Sequence, residues 1–171
     1  MWTKSRLILL IFAGIAYSLI IIPERAVVTY VNTKHLAWAN SSVKKYDRKS
    51  PYYLNIEGEN VVVLDETFLF NAVVYQYVSN EYRRTFVEFH MSFCKFLKDP
   101  YFGGIFLKYG LKCPIIPGIY HFMNMTFPTE NFPQVWPFEK CLFNMTMTIN
   151  GTLTATMYIS AKFISKPARR T

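Results

Sequence analysis

Cysteine is scarce in this chain. Of 171 residues only Cys94, Cys113 and Cys141 carry a thiol, which allows one disulfide and leaves one cysteine over. That excludes a disulfide scaffold, and the absence of any C-x-x-C pair leaves a zinc ribbon or a thioredoxin-type site without a basis. Charge is sparse as well. Asp, Glu, Lys and Arg make up 18% of the sequence, and the net charge of +8 comes from basic pairs, such as Lys44-Lys45, Arg83-Arg84 and Arg169-Arg170, that lie far apart. No run of like charge marks a nucleic-acid footprint, so no nucleic-acid partner is expected. Catalytic signatures are missing too: there is no G-x-S-x-G, no H-E-x-x-H and no glycine-rich phosphate loop. His35, His90 and His121 share no spacing that implies a metal site. His90 and Cys94, four residues apart on a strand, would stand about 13 Å from each other, too far for proton transfer. The chain is therefore expected to be no enzyme and to carry neither metal nor cofactor.

Apolar and aromatic residues are what the sequence has in quantity: 51% is hydrophobic, with 15 Phe, 12 Tyr and 3 Trp. Such a composition fits one compact domain with one core and excludes a disordered chain. Its N-terminus has a separate character. Lys4 and Arg6 precede an uncharged apolar run, Leu7 to Ile22, that ends at Pro23-Glu24-Arg25. A basic segment followed by an apolar one is a signal-peptide pattern, with small residues suited to cleavage at Gly14 and Ala16 or at Ala16 and Ser18. Residues 1–22 are read as leader and 23–171 as a single domain. The run is shorter than the ~20 residues that span a bilayer, which favours cleavage over an uncleaved type II anchor and leaves no stable membrane insertion. Sequons at Asn40, Asn124, Asn144 and Asn150 are candidate glycosylation sites and agree with a secreted, extracellular, oxidising location.

Alternation predicts strands. From Phe143 to Ile149 and from Leu153 to Phe163 the odd positions are apolar and the even ones polar. A two-residue turn at Asn150-Gly151 would set Met147 opposite Thr154 and mix the faces. A three-residue loop pairing Thr148 with Thr152 and Met147 with Leu153 keeps them apart, putting Asn144, Thr146, Thr154 and Thr156 outward and Met145, Met147, Ala155 and Met157 inward. Thr85 to Phe93 alternates as a further strand. Phe68 to Val78 reads as a strand covered on both sides, turned by Ser79-Asn80-Glu81. Asn60 to Leu64 and Ile119 to Phe127 are additional candidates. Pro100 and Gly103-Gly104 oppose a long helix over Phe96 to Tyr109. The expected fold is all-β, a two-sheet sandwich of seven or eight strands.

The methionines after Met1 all lie between Met91 and Met157 and share the inward sets with phenylalanines. Adaptable thioethers suit a cavity for a flexible apolar ligand, with Phe89, Met91, Phe93, Met145, Met147, Met157 and Ile159 as candidate lining. The alternative from composition is a filled, Met-rich core.

Phe93-Cys94-Lys95-Phe96-Leu97, Lys112-Cys113-Pro114 and Pro117-Gly118-Ile119-Tyr120, followed by Pro128, Phe132-Pro133 and Trp136-Pro137, resemble the insect secreted CheA/CheB-type chemosensory proteins and their sister family, which are related to the ganglioside-activator class of ML lipid-recognition domains. The resemblance covers Tyr52 to Phe163. It implies an immunoglobulin-like sandwich splayed around a lipid cavity, a disulfide between Cys94 and Cys113, and a secreted, chemosensory binding protein for a lipid or semiochemical. The chain departs from that pattern in having no cysteine before Cys94, and in placing Pro137-Phe138-Glu139-Lys140-Cys141 where a P-x-G element is usual. A small apolar ligand is thus the expected partner, with a receptor or another secreted protein as a further one. The alternatives are a secreted protein-protein interaction module with a filled core and a membrane-anchored form of the same domain.

Overall fold

A computed structural model describes residues 17–127, 129 and 136–167. Eight strands and two short helices follow one another: β1 Tyr17–Val31, β2 Leu36–Lys44, β3 Tyr53–Asn60, β4 Phe68–Val78, β5 Glu81–Ser92, α1 Phe93–Phe96, α2 Gly104–Lys108, β6 Gly118–Met125, β7 Lys140–Ile149 and β8 Thr152–Pro167. They form two antiparallel sheets, β1-β8-β7-β4-β5 and β2-β3-β6, that face each other as a β-sandwich. The all-β two-sheet architecture is the one the alternation predicted.

The largest pairing joins β1 to β8. Ile20 lies opposite Ile164 and Ile21 opposite Phe163, and Leu19 is buried. Tyr17–Ile22, the first six residues of β1, belong to the segment read as leader and pair with β8. Pro23 sits where the register shifts, a place in a ladder where a missing N–H is tolerated.

The β7–β8 hairpin corrects the expected register. Ile149 pairs with Thr152 across a two-residue Asn150-Gly151 turn in which both residues have positive φ, 48° and 78°, as a type I′ turn requires. Parity is restored by a bulge instead of a longer loop. Thr148 pairs with Leu153 and Met147 with Ala155, so Thr154 is the extra residue and the inward sets meet at Met145–Met157. Thr154, expected outward, is completely buried, and Leu153 is exposed. At the bulge Thr154 serves the corner between β1 and β2: its carbonyl accepts from the Asn32 N–H at 2.8 Å, and its Oγ1 lies 3.0 Å from His35 Nδ1.

Other expectations shift for similar reasons. Asn60 to Leu64 is no strand; the chain leaves β3 at Asn60, and Leu64 makes an isolated bridge to Ile115. β4 is not covered on both sides: Phe68, Phe70, Ala72 and Val74 point inward, whereas Leu69 is exposed. The turn at Ser79-Asn80 forms as expected, with positive φ at both residues. Phe93 opens α1 rather than closing β5, because the Ser92 hydroxyl accepts the Lys95 N–H and caps the turn. β5 is an edge strand guarded by charge: Arg83 pairs with Glu81, and Arg84 with Glu88.

Two apolar clusters fill the interior. The larger, including Phe70, Met125, Met145 and Met157, lies between the sheets. The smaller, Leu19, Val74, Phe138, Cys141, Ala161 and Phe163, lies toward the far end of the large sheet, where Trp136 stacks on Phe163 with ring centroids 4.9 Å apart.

Candidate functional site: an apolar cavity between the sheets

The larger cluster is not solid. A cavity of about 220 Å³ lies within the sandwich. Small residues form part of its wall: Ala72 on β4, Ala155 and Ala161 on β8 and Gly58 on β3. Gly58 serves a second purpose, since a Cβ there would come within 2.9 Å of the Trp38 carbonyl oxygen on β2. Of the residues expected to line a ligand site, Phe89, Met91, Phe93, Met145, Met147, Met157 and Ile159 all lie on the cavity wall. The small sheet supplies the facing wall through Leu54, Ile56, Phe122 and Met125. Those residues were not picked out as lining in the sequence. In β3 Leu54 and Ile56 are outnumbered by Asn55, Glu57, Glu59 and Asn60, so no apolar face stands out, and the alanines, Ala155 among them, read only as part of the core.

The remaining wall is a strap. Cys94 and Cys113 are joined by a disulfide with Cα atoms 5.6 Å apart, so residues 95–112 leave and return at one point, as an Ω-loop does. The strap carries Phe96, Phe102, Ile105, Phe106 and Leu111 to the cavity. Phe96 stacks on Phe70 of the large sheet at 4.3 Å between centroids, and Phe106 meets Phe122 of the small sheet edge-on at 5.1 Å. These aromatic contacts bridge the two sheets along one side. Gly103 lets the strap fold on itself, because a Cβ there would collide with the Phe96 carbonyl. The strap also closes hydrogen bonds within itself, Asp99 N–H to Phe96 O and Gly104 N–H to Asp99 O among them, and the Tyr109 hydroxyl ties it to the Met123 carbonyl at 3.0 Å.

Polar groups on the wall are few, and their donors are engaged. Trp38 Nε1 donates to Glu59 Oε2, Tyr120 OH to Ile116 O, and both bonds from Asn60 Nδ2 go to backbone carbonyls, Val62 O and Ile116 O. Asn60 Oδ1 is buried without a partner among the described residues.

The histidines lie apart. His35 serves the Thr154 bulge, His90 contacts Asn71 on β4 and Glu88 on its own strand, and His121 sits 3.2 Å from Glu57. Hydrogen bonds from Arg84 and then His90 hold the Glu88 carboxyl below its usual value. Among the described residues no group of three His, Cys, Asp or Glu is placed to hold a metal ion, and no helix is long and apolar enough to cross a membrane. Cys141 is a free thiol, fully buried, with the Trp136 indole N–H 3.5 Å from its sulfur. Burial pushes its pKa up to about 11. Asn40, Asn124, Asn144 and Asn150 are all exposed.

Comparison with models of known families and with curated proteins yields no match to this chain.

Proposed function

We propose that this protein binds a small apolar molecule in the cavity between its sheets, and that it does so as a secreted carrier or presenter of a lipid or semiochemical. The observation that carries the reading is the cavity. An apolar cavity of about 150 Å³ stays dry and binds benzene, and pockets for drug-sized ligands begin at about 300 Å³. A void of about 220 Å³ therefore suits one chain or one or two rings, not a two-chain lipid. Apolar burial at roughly 25 cal/mol per Å² supplies several kcal/mol of gross binding energy with few polar contacts. The chemosensory role rests on the resemblance around Cys94 and Cys113. Secretion rests on the leader, the exposed sequons and the disulfide, since disulfides persist in oxidising compartments. An interaction module with a filled core is less well supported, because the core holds a void. The anchored form loses Tyr17–Ile22 to β1, which leaves Leu7 to Ala16, well short of the ~20 residues of a span.

Two measurements test the reading: titration of the folded, secreted protein with the neutral fluorescent probe N-phenyl-1-naphthylamine, and mass spectrometry of organic extracts of the purified protein. Saturable binding of one probe per chain is expected, displaced by whatever the extract contains. Absence of saturable binding together with an extract free of bound organic molecules would overturn it.

A further inference from the structure

We infer that the cavity selects uncharged ligands and rejects carboxylates, so that a long-chain alcohol or hydrocarbon is bound and the corresponding fatty-acid anion is not. The inference rests on the proposed function above and specifies its ligand. The described residues on the wall include no Lys, Arg or His; Glu57 and Glu59 border it from β3 with their carboxyls turned outward to His121 and Trp38, and Asp99 accepts from the Tyr101 and Phe102 N–H groups. The net charge of the chain is +8, and the cations of the described residues lie off this wall.

Hydrogen-bond donors are equally lacking. The wall side chains that own one are Trp38, Asn60 and Tyr120, and each is already committed. Asn60 decides the point. Its two amide hydrogens go to Val62 O and Ile116 O, each at 2.9 Å, so turning the amide over would set its oxygen against two carbonyls. The orientation is fixed, and what remains is Oδ1, an acceptor without a partner. A carboxylate needs a cation or several donors when it leaves water, and this wall offers acceptors only. A hydroxyl, which owns a donor, or a plain hydrocarbon meets no such conflict.

The test is displacement of N-phenyl-1-naphthylamine by decane, decan-1-ol and decanoate at pH 8, on the native chain and on Met91→Lys, which sets a cation on the wall from the edge strand β5. Decane and decanol are expected to displace the probe, with decanoate at least tenfold weaker than decanol, and Met91→Lys is expected to narrow that ratio at least tenfold. Equal potency of decanoate and decanol on the native chain would overturn the inference while leaving the cavity as the binding site. So would an unchanged ratio in a folded Met91→Lys. If Met91→Lys fails to fold, the native ratio alone decides. Failure of the probe itself to bind would overturn the proposed function and this inference with it.

Discussion

Thr154 and His35 meet 3.0 Å apart inside the corner that joins β1 to β2, although Thr154 belongs to a strand whose other threonines face outward. The hydroxyl is fully buried and also lies 3.4 Å from the Thr152 carbonyl. Thr154→Val keeps the shape and removes the partner, leaving a part-buried imidazole nitrogen unpaired. A loss of about 1–3 kcal/mol is expected in chemical denaturation. Thr146→Val on the same hairpin should stay within about 0.5 kcal/mol, and equal effects of the two would show that the bulge contact carries no stability.

Met147 tests whether the void is used. Met147→Trp should fill the cavity and abolish uptake of a neutral probe while the melting temperature stays near that of the native chain. In a solid core the same change overpacks and costs about 1–3 kcal/mol, so a large drop in melting temperature without prior probe binding would refute the pocket.

Cys141 should behave as a hidden thiol. Its folded pKa of about 11 lies above the ordinary 9.0, so its contribution to stability is complete below about 9 and is lost as pH rises toward about 11. At pH 8 a disulfide reagent should label no thiol in the native protein and one after unfolding without reductant. Rapid labelling of the native protein would contradict the burial. The decline in stability between about pH 9 and 11 should be shallower in Cys141→Ala.

The mature N-terminus should be Tyr17. Gly14 and Ala16 supply the small residues that cleavage favours, and a cut there keeps Leu19, Ile20 and Ile21, which pair with β8. Sequencing of the secreted protein checks this directly. Leu19 is buried in the smaller cluster, so Leu19→Ala should cost about 2–5 kcal/mol. A chain starting at Pro23 should be less stable than one starting at Tyr17; equal stability would place Leu19 outside the working core.

The strands with clean alternation, β5, β7 and β8, were legible in the sequence because one face is wet and the other dry. β2 and β3 were not. Glu57 and Glu59 face outward while Ser41, Asn55 and Asn60 are buried polar residues, so the period-2 signal is overwritten. β1 was hidden for the opposite reason, since its apolar first residues match a leader equally well. The parity conflict at Asn150-Gly151 was visible, but two devices resolve such a conflict. Only the hydrogen bonds around Thr154 show why the bulge was used. The site was half legible: the methionines and phenylalanines of one wall stand out, while the alanines do not.

The cavity between the sheets should also make this molecule sensitive to hydrostatic pressure. Unfolding eliminates internal empty space, so compression favours the unfolded chain in proportion to the space lost. A ligand that occupies the cavity removes that advantage. The empty and filled proteins then differ in compressibility even where their strands, turns and disulfide are the same.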